Sequence, residues 1–320
     1  KFRVLIEFNK LLSEFKNRNT LLLWSLFSVA GSLIAFGDYY IDIIILLGNW
    51  SFLMEEGSYP FVMLSLLITW LLLSRRAFFS LLKQENVNLH LNTITLLGLL
   101  ISVSALTIKL IITNPAPPTQ LILLLSYFQG LFMMLFPKSG TITLLLLAMY
   151  IPTATLPQII STYFDKQISL AFIKILEPIL HTLGYQFQSV NQSIILNTQY
   201  GREVYININS ACVGIASYSI FLLLNGIMIL HLKVDKKKVV LQTLSGIATL
   251  LLLNIIRLIT IVNVGYINRE AINLVHNTLG YTIFTLFYIL YMWIFLRSRQ
   301  QKRNLIRNIS SNQPVHPSPE

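Results

Sequence analysis

The sequence predicts an all-α fold, a polytopic transmembrane helix bundle of about eight spans with a short extracytoplasmic β-hairpin. Three observations predict it. Hydrophobic residues fill 54% of the 320 positions and charged residues only 12%, about half the ~25% of soluble domains. Eight apolar segments recur along the chain, several of them near the ~20 residues that cross a bilayer. Basic residues gather between alternate segments. With a mean hydropathy of +0.66, the chain cannot cover itself with polar surface, so lipid is its solvent.

The apolar segments run over residues 20–36, 59–74, 93–113, 119–136, 141–160, 211–232, 239–260 and 278–296. The first two are short; 20–36 extends into 37–40, and 59–74 borrows from 50–54. A further run, 39–54, contains Asp42 and Asn49 and reads as re-entrant or interfacial. The first 36 residues have the outline of a signal peptide but no clear small-residue cleavage site, so a retained span is expected. Lys109, close to the outer end of the third span, is expected to snorkel.

Lys and Arg favour the cytoplasmic side of short loops. The segments before the first span, between the second and third, between the fourth and fifth, between the sixth and seventh, and after the eighth hold 18 of the 24 basic residues. Eight spans put all five segments on one side, so both termini are expected in the cytoplasm. The net charge of +11 is then a topology signal, reinforced by attraction to anionic lipid, and needs no nucleic acid.

The expected organisation is a cytoplasmic tail (1–19), an N-terminal transmembrane bundle (20–160), an extracytoplasmic segment (161–210), a second transmembrane region carrying the site (211–296) and a basic, partly disordered tail (297–320). Within 161–210, residues 164–183 read as an amphipathic helix broken near Pro178 and lying in the membrane interface. Residues 194–198 and 204–209 alternate with period two around a turn at 199–202, the pattern of a β-hairpin.

Three residues carry the chemical signal. Cys212 is the only cysteine in the chain and opens the sixth apolar segment. Arg257 lies near the outer end of the seventh, and His276 just precedes the eighth. The basic-residue topology does not depend on these three and predicts that they meet at one outer face. Each has an ordinary explanation alone: an apolar filler, a snorkelling anchor, a solvated cap. Together at one depth they suggest nucleophilic catalysis on an acyl group. Asn209 or Ser210 is a suitable N-cap, which would set Cys212 in a first helical turn, where amides and the dipole favour a thiolate. His276, similarly near a helix start, suits a base. Arg257 stays protonated, so its roles are to stabilise an oxyanion or bind a carboxylate. Asp42 and the other histidines, His90, His181, His231 and His316, show no ligand spacing, so no metal and no cofactor are expected. The chain has no Walker loop, dinucleotide fingerprint or serine elbow.

The motifs Ala211-Cys212-Val213-Gly214-Ile215-Ala216-Ser217, Asn254-Ile255-Ile256-Arg257, and His276 with Gly280 resemble the exosortase/archaeosortase family. The resemblance covers about residues 185–285. Val213 stands where the family often has Ser or Thr, and Ala216 where Arg is common. The resemblance implies a membrane cysteine peptidase or transpeptidase in the plasma (inner) membrane of a prokaryote, with its site facing outside. It implies a Cys212, Arg257 and His276 triad, with Asn209, Ser210, Gly214 and Asn254 in support. Its substrates would be exported proteins ending in a sorting tail: a short motif, a membrane helix and a basic cluster. The competing reading is a transporter or lipid-linked glycan handling protein, in which Arg257 binds an anionic headgroup and Cys212 is incidental. Such proteins usually show pseudo-symmetric halves and midplane polar residues, which the sequence does not display.

Overall fold

The computed structural model describes residues 18–49, 58–85, 92–113, 115–197, 203–232 and 236–311. The helices are α1 (Arg18–Gly48), α2 (Tyr59–Leu73), α3 (Arg75–Gln84), α4 (Thr93–Ile111), α5 (Pro117–Leu135), α6 (Pro137–Tyr163), α7 (Asp165–Thr182), α8 (Ile215–Leu232), α9 (Lys236–Ile267) and α10 (Ile272–Ser311). Strands β1 (Phe187–Val190), β2 (Ser193–Asn197) and β3 (Glu203–Asn207) lie between α7 and α8. Among the described residues, six helices are long and apolar enough to cross a membrane. A seventh is gained if α2 and α3, bent by 68°, count as one span. The protein is a multi-pass helical membrane protein.

Each of the eight expected segments is an apolar helix, but two are short: α2 has 15 residues, and the sixth segment becomes helical only at Ile215. Its apolar part is Ile215–Leu230, because residues 210–214 form turns rather than helix. The run 39–54, expected to be re-entrant or interfacial, is helical as far as Gly48. Residues 39–48 continue α1 past a kink at Phe36 (φ −126°, ψ 20°), and 50–54 fall outside the described residues. Asp42 does not break the helix because Gln120 Nε2 donates to its Oδ2 at 3.0 Å. Lys109 does not simply snorkel: it pairs with Asp38 at 3.0 Å, over the Tyr39 ring. The terminal stretches 1–17 and 312–320 fall outside the described residues, whereas α10 runs on to Ser311.

The chain divides into two compact units, Lys1–Asp165 with Leu222–Val234, and Lys166–Phe221 with Asp235–Glu320. In the first, α4 and α5 approach closely at Gly98 and Gly130, where a Cβ on either glycine would strike the other's carbonyl. Small residues at a helix crossing are the usual device for packing in lipid.

The second unit holds the candidate site. Its core joins one face of α7 (Phe172, Ile173, Leu176, Leu180) to the inner face of the sheet (Ile194, Leu196, Val204, Ile206) and to Leu258, Ile261 and Val262 of α9. The face of α7 that carries Phe172, Ile173, Leu176 and Leu180 therefore packs on protein. α7 also runs unbroken through Pro178. Its packing outweighs the one backbone bond that proline removes. A second cluster, Phe221, Leu250, Phe284 and Phe287, packs α8, α9 and α10 together.

The sheet has three strands in the order β1-β2-β3, all antiparallel. β2 and β3 are the expected hairpin; its turn at 199–202 falls outside the described residues. β1 is additional. It joins β2 through a two-residue loop, Asn191-Gln192, with Asn191 at φ +54°. Asparagine is among the few residues that enter this region readily, which makes it a hairpin signal.

Candidate active site

The segment after β3 forms one helical turn of its own. Asn209 Oδ1 accepts the Cys212 N–H at 2.9 Å, and Asn209 O accepts the Val213 N–H at 3.1 Å. Gly214 ends the turn at φ +80°. Its N–H bonds Ala211 O at 3.0 Å and the Ile215 N–H bonds Ser210 O at 3.4 Å, the paired closure of a Schellman motif. Asn209 is thus the N-cap, as expected, but Cys212 is not in the first turn of the long helix. α8 starts three residues later, at Ile215. Its macrodipole does not begin at the thiol, and local amides are what remain near Cys212.

Asn254 ties this turn to α9. It is fully buried, and its Nδ2 donates to Val213 O at 2.7 Å. A Cβ at Gly214 would sit 3.1 Å from Asn254 Oδ1, a tight approach that adds to the preference for glycine set by the positive φ.

Arg257 lies one turn further along α9 and is only 4% exposed. Its guanidinium forks. Nη1 reaches Cys212 O and Asn254 Oδ1, each at 3.4 Å. Nη2 reaches His276 Nε2 at 3.2 Å, His276 Nδ1 at 3.5 Å and His276 O at 3.4 Å. A guanidinium only donates, so the imidazole accepts in this contact and is neutral in it. α10 supplies the seat: a Cβ at Gly280 would lie 3.0 Å from Arg257 Nε, and the Phe284 ring lies 5.9 Å from Arg257 Cζ. His276, Gly280 and Phe284 are spaced by four, so one face of α10 carries all three.

The structure therefore brings Arg257 to both other residues, and the connection from Cys212 to His276 runs through its guanidinium. The Cys212 thiol is half-buried and donates to Asn207 O at 3.5 Å. Ser210 is buried within the turn. Two positions differ from expectation. His276 lies in the second turn of α10, which starts at Ile272. Arg257 lies ten residues before the end of α9, because the helix continues under the sheet to Ile267. Sequence reasoning missed the Asn207 carbonyl and Phe284; the latter was legible as the next position on the His276–Gly280 face.

Among the described residues no group of three or more His, Cys, Asp or Glu is placed to hold a metal ion. The chemistry available is that of a thiol, an imidazole and a fixed cation. A protein-family model described as transmembrane exosortase (Exosortase_EpsH) matches residues 49–293. No curated protein and no solved structure matches the chain.

Proposed function

Because the chain belongs to the transmembrane exosortase family, we propose that it is a membrane cysteine peptidase or transpeptidase acting on C-terminal sorting tails of exported proteins. The observation that carries this reading is the forked contact of Arg257 with the Cys212 turn and with His276.

In the proposed reaction His276 takes the proton of the Cys212 thiol, and the thiolate attacks the scissile carbonyl. Arg257 stabilises the negative oxygen of the tetrahedral intermediate. The intermediate expels the amine of the downstream tail, which receives its proton from His276. This leaves the upstream protein as a thioester on Cys212. Water releases it as an acid; an amine or hydroxyl acceptor would carry it onward. The substrate tail, itself a membrane helix with a basic end, would dock laterally from lipid.

The basic-residue distribution supports an orientation with both termini in the cytoplasm, residues 185–209 and 261–277 outside, and the site at the outer face of a prokaryotic plasma (inner) membrane. The test is co-expression with an exported reporter ending in a short motif, one apolar span and a basic cluster, taken from a protein encoded beside this chain. Wild type shortens the reporter. Cys212→Ala, inserted at wild-type level, leaves it uncut. Undiminished cutting by that variant ends the cysteine mechanism.

A further inference from the structure

β3 is an edge strand whose free backbone leads to the thiol. The Ile208 N–H bonds Gln192 O at 2.8 Å, and the register pairs Ile206 with Ile194 and Val204 with Leu196. Hydrogen-bonded pairs alternate in an antiparallel ladder, so Val204, Ile206 and Ile208 turn their backbone groups toward β2. Glu203, Tyr205 and Asn207 turn theirs away from it. A second bond fixes the same parity on the far side of β2: the Asn197 N–H reaches Gln186 O, so Ile194 and Leu196 keep their backbone groups for β3. The sulfur contact agrees independently, because Cys212 Sγ meets Asn207 O at 3.5 Å on that outward side.

The side chains leave this edge open. Val204 and Ile206 point into the core, whereas Glu203, Tyr205 and Asn207 are exposed. Tyr205, 63% exposed, is held along the strand by its hydroxyl donating to Glu203 Oε2 at 2.7 Å. Among the described residues no strand pairs with this side of β3. Soluble folds shorten, charge or cover such edges. This one is short and polar, yet it ends at the only cysteine of the chain.

We propose that the substrate segment beside the scissile bond binds as an added strand on the free edge of β3, paired through the backbone of Glu203, Tyr205 and Asn207. This rests on the proposed function and adds where and how the substrate lies. An extended peptide is the occupant that fits, because an edge offers alternating donors and acceptors at strand spacing, which another extended backbone matches. Asn207 O is both the last acceptor of the edge and the resting partner of the thiol. A docked peptide N–H competes for that oxygen and loosens the thiol as the scissile carbonyl arrives.

The test uses the full-length Cys212→Ala protein in detergent and a synthetic peptide spanning the cleavage junction of the reporter. The peptide is methylated at one backbone nitrogen at a time, and binding is measured. Methylation should weaken binding at every second residue, by roughly threefold to tenfold for each lost bond, and leave the alternate residues unchanged. Tyr205→Pro removes an N–H that the sheet does not use and should weaken the unmodified peptide by a similar factor. Ser189→Pro, on the free edge of β1, should bind like its parent. Uniform sensitivity along the peptide, no sensitivity, or no binding of the unmodified peptide overturns the proposal. So does a dimer that Tyr205→Pro dissolves without alternation in the peptide, which would assign the edge to a second copy. Alternation with a reporter that wild type never cuts would retain the docking and remove the peptidase reading.

Discussion

Arg257 and His276, nineteen positions apart, meet with Nη2 at 3.2 Å from Nε2, and the other arm of the same guanidinium reaches the carbonyl of Cys212. One buried cation thus holds the imidazole and the nucleophile-bearing turn in a fixed relation. Burying Arg inside an apolar helix costs at least ~2.5–3.5 kcal/mol unless it is paired or solvated. Here Asn254 Oδ1, the two carbonyls and the ring nitrogens provide the pairing. The arrangement needs both arms, and two predictions follow from its shape.

Arg257→Lys keeps the charge and loses the fork. An ammonium cannot span the Cys212 carbonyl and the His276 ring together. Cleavage of the reporter should slow by about 10²–10³-fold, the usual cost of one oxyanion donor. Binding of the junction peptide to the same variant should change little. The measurement is single-turnover cleavage in nanodiscs beside peptide binding. A full rate in the Lys variant would reduce Arg257 to an anchor.

Gly280→Ala tests the seat from the opposite helix. The added Cβ would stand 3.0 Å from Nε and 3.2 Å from Cζ of Arg257, so the guanidinium must shift by a few tenths of an ångström. Displacements of about 1 Å at a reacting centre cost on the order of 10²-fold, so roughly a tenfold loss of turnover is expected. Insertion and melting temperature should stay near wild type, because the neighbour that yields is a side chain. An undiminished rate would show that the guanidinium position is not critical.

What the sequence made legible was the set of apolar helices and the residues at their ends; what it hid depended on partners distant in the chain. Asp42 looked like an interruption because a carboxylate in lipid is costly, but Gln120, far away in sequence, satisfies it. Pro178 looked like a break because proline removes a backbone bond. The loss is outweighed by Phe172, Leu176 and Leu180 packing on the sheet, a contact between elements that no local pattern shows. Four-residue β1 is too short for its alternation to stand out, and only Asn191 marks its turn. Within the candidate site, Gly214 was visible as a motif glycine, but not that its positive φ separates the Cys212 turn from α8. The edge of β3 was hidden for the same reason: a strand's free side is defined by its neighbours.

Orientation has its own test. Ser189→Cys, in β1, and Lys237→Cys, at the start of α9, are each introduced with Cys212 replaced by Ala. In the proposed orientation position 189 lies outside and position 237 in the cytoplasm. A membrane-impermeant thiol reagent applied to intact cells should label the first and spare the second, with both labelled after lysis. The reverse pattern would invert the topology, and labelling of both in intact cells would mean that the number of spans between them is wrong.

His276→Ala separates the base from the cation. Removing a general base costs roughly 10²–10⁴-fold at neutral pH. The remaining Cys212 must then rely on unassisted ionisation, which for an ordinary thiol grows as pH approaches about 8.5. The variant's rate should therefore climb about tenfold for each pH unit from 6 to 8, because the thiolate fraction does so below the thiol's midpoint. Wild type should change less over that range, since its base removes the proton during the reaction. The substitution removes the ring from the Nη2 arm of Arg257, which keeps the carbonyl of residue 276 within reach, so the Nη1 contact with the Cys212 carbonyl must be shown to persist. Peptide binding to the variant at wild-type affinity, with an unchanged melting temperature, would show that. A His276→Ala protein matching wild type at neutral pH removes His276 from the mechanism. One that is slow but flat with pH assigns the ring to holding Arg257 in place, and not to moving a proton.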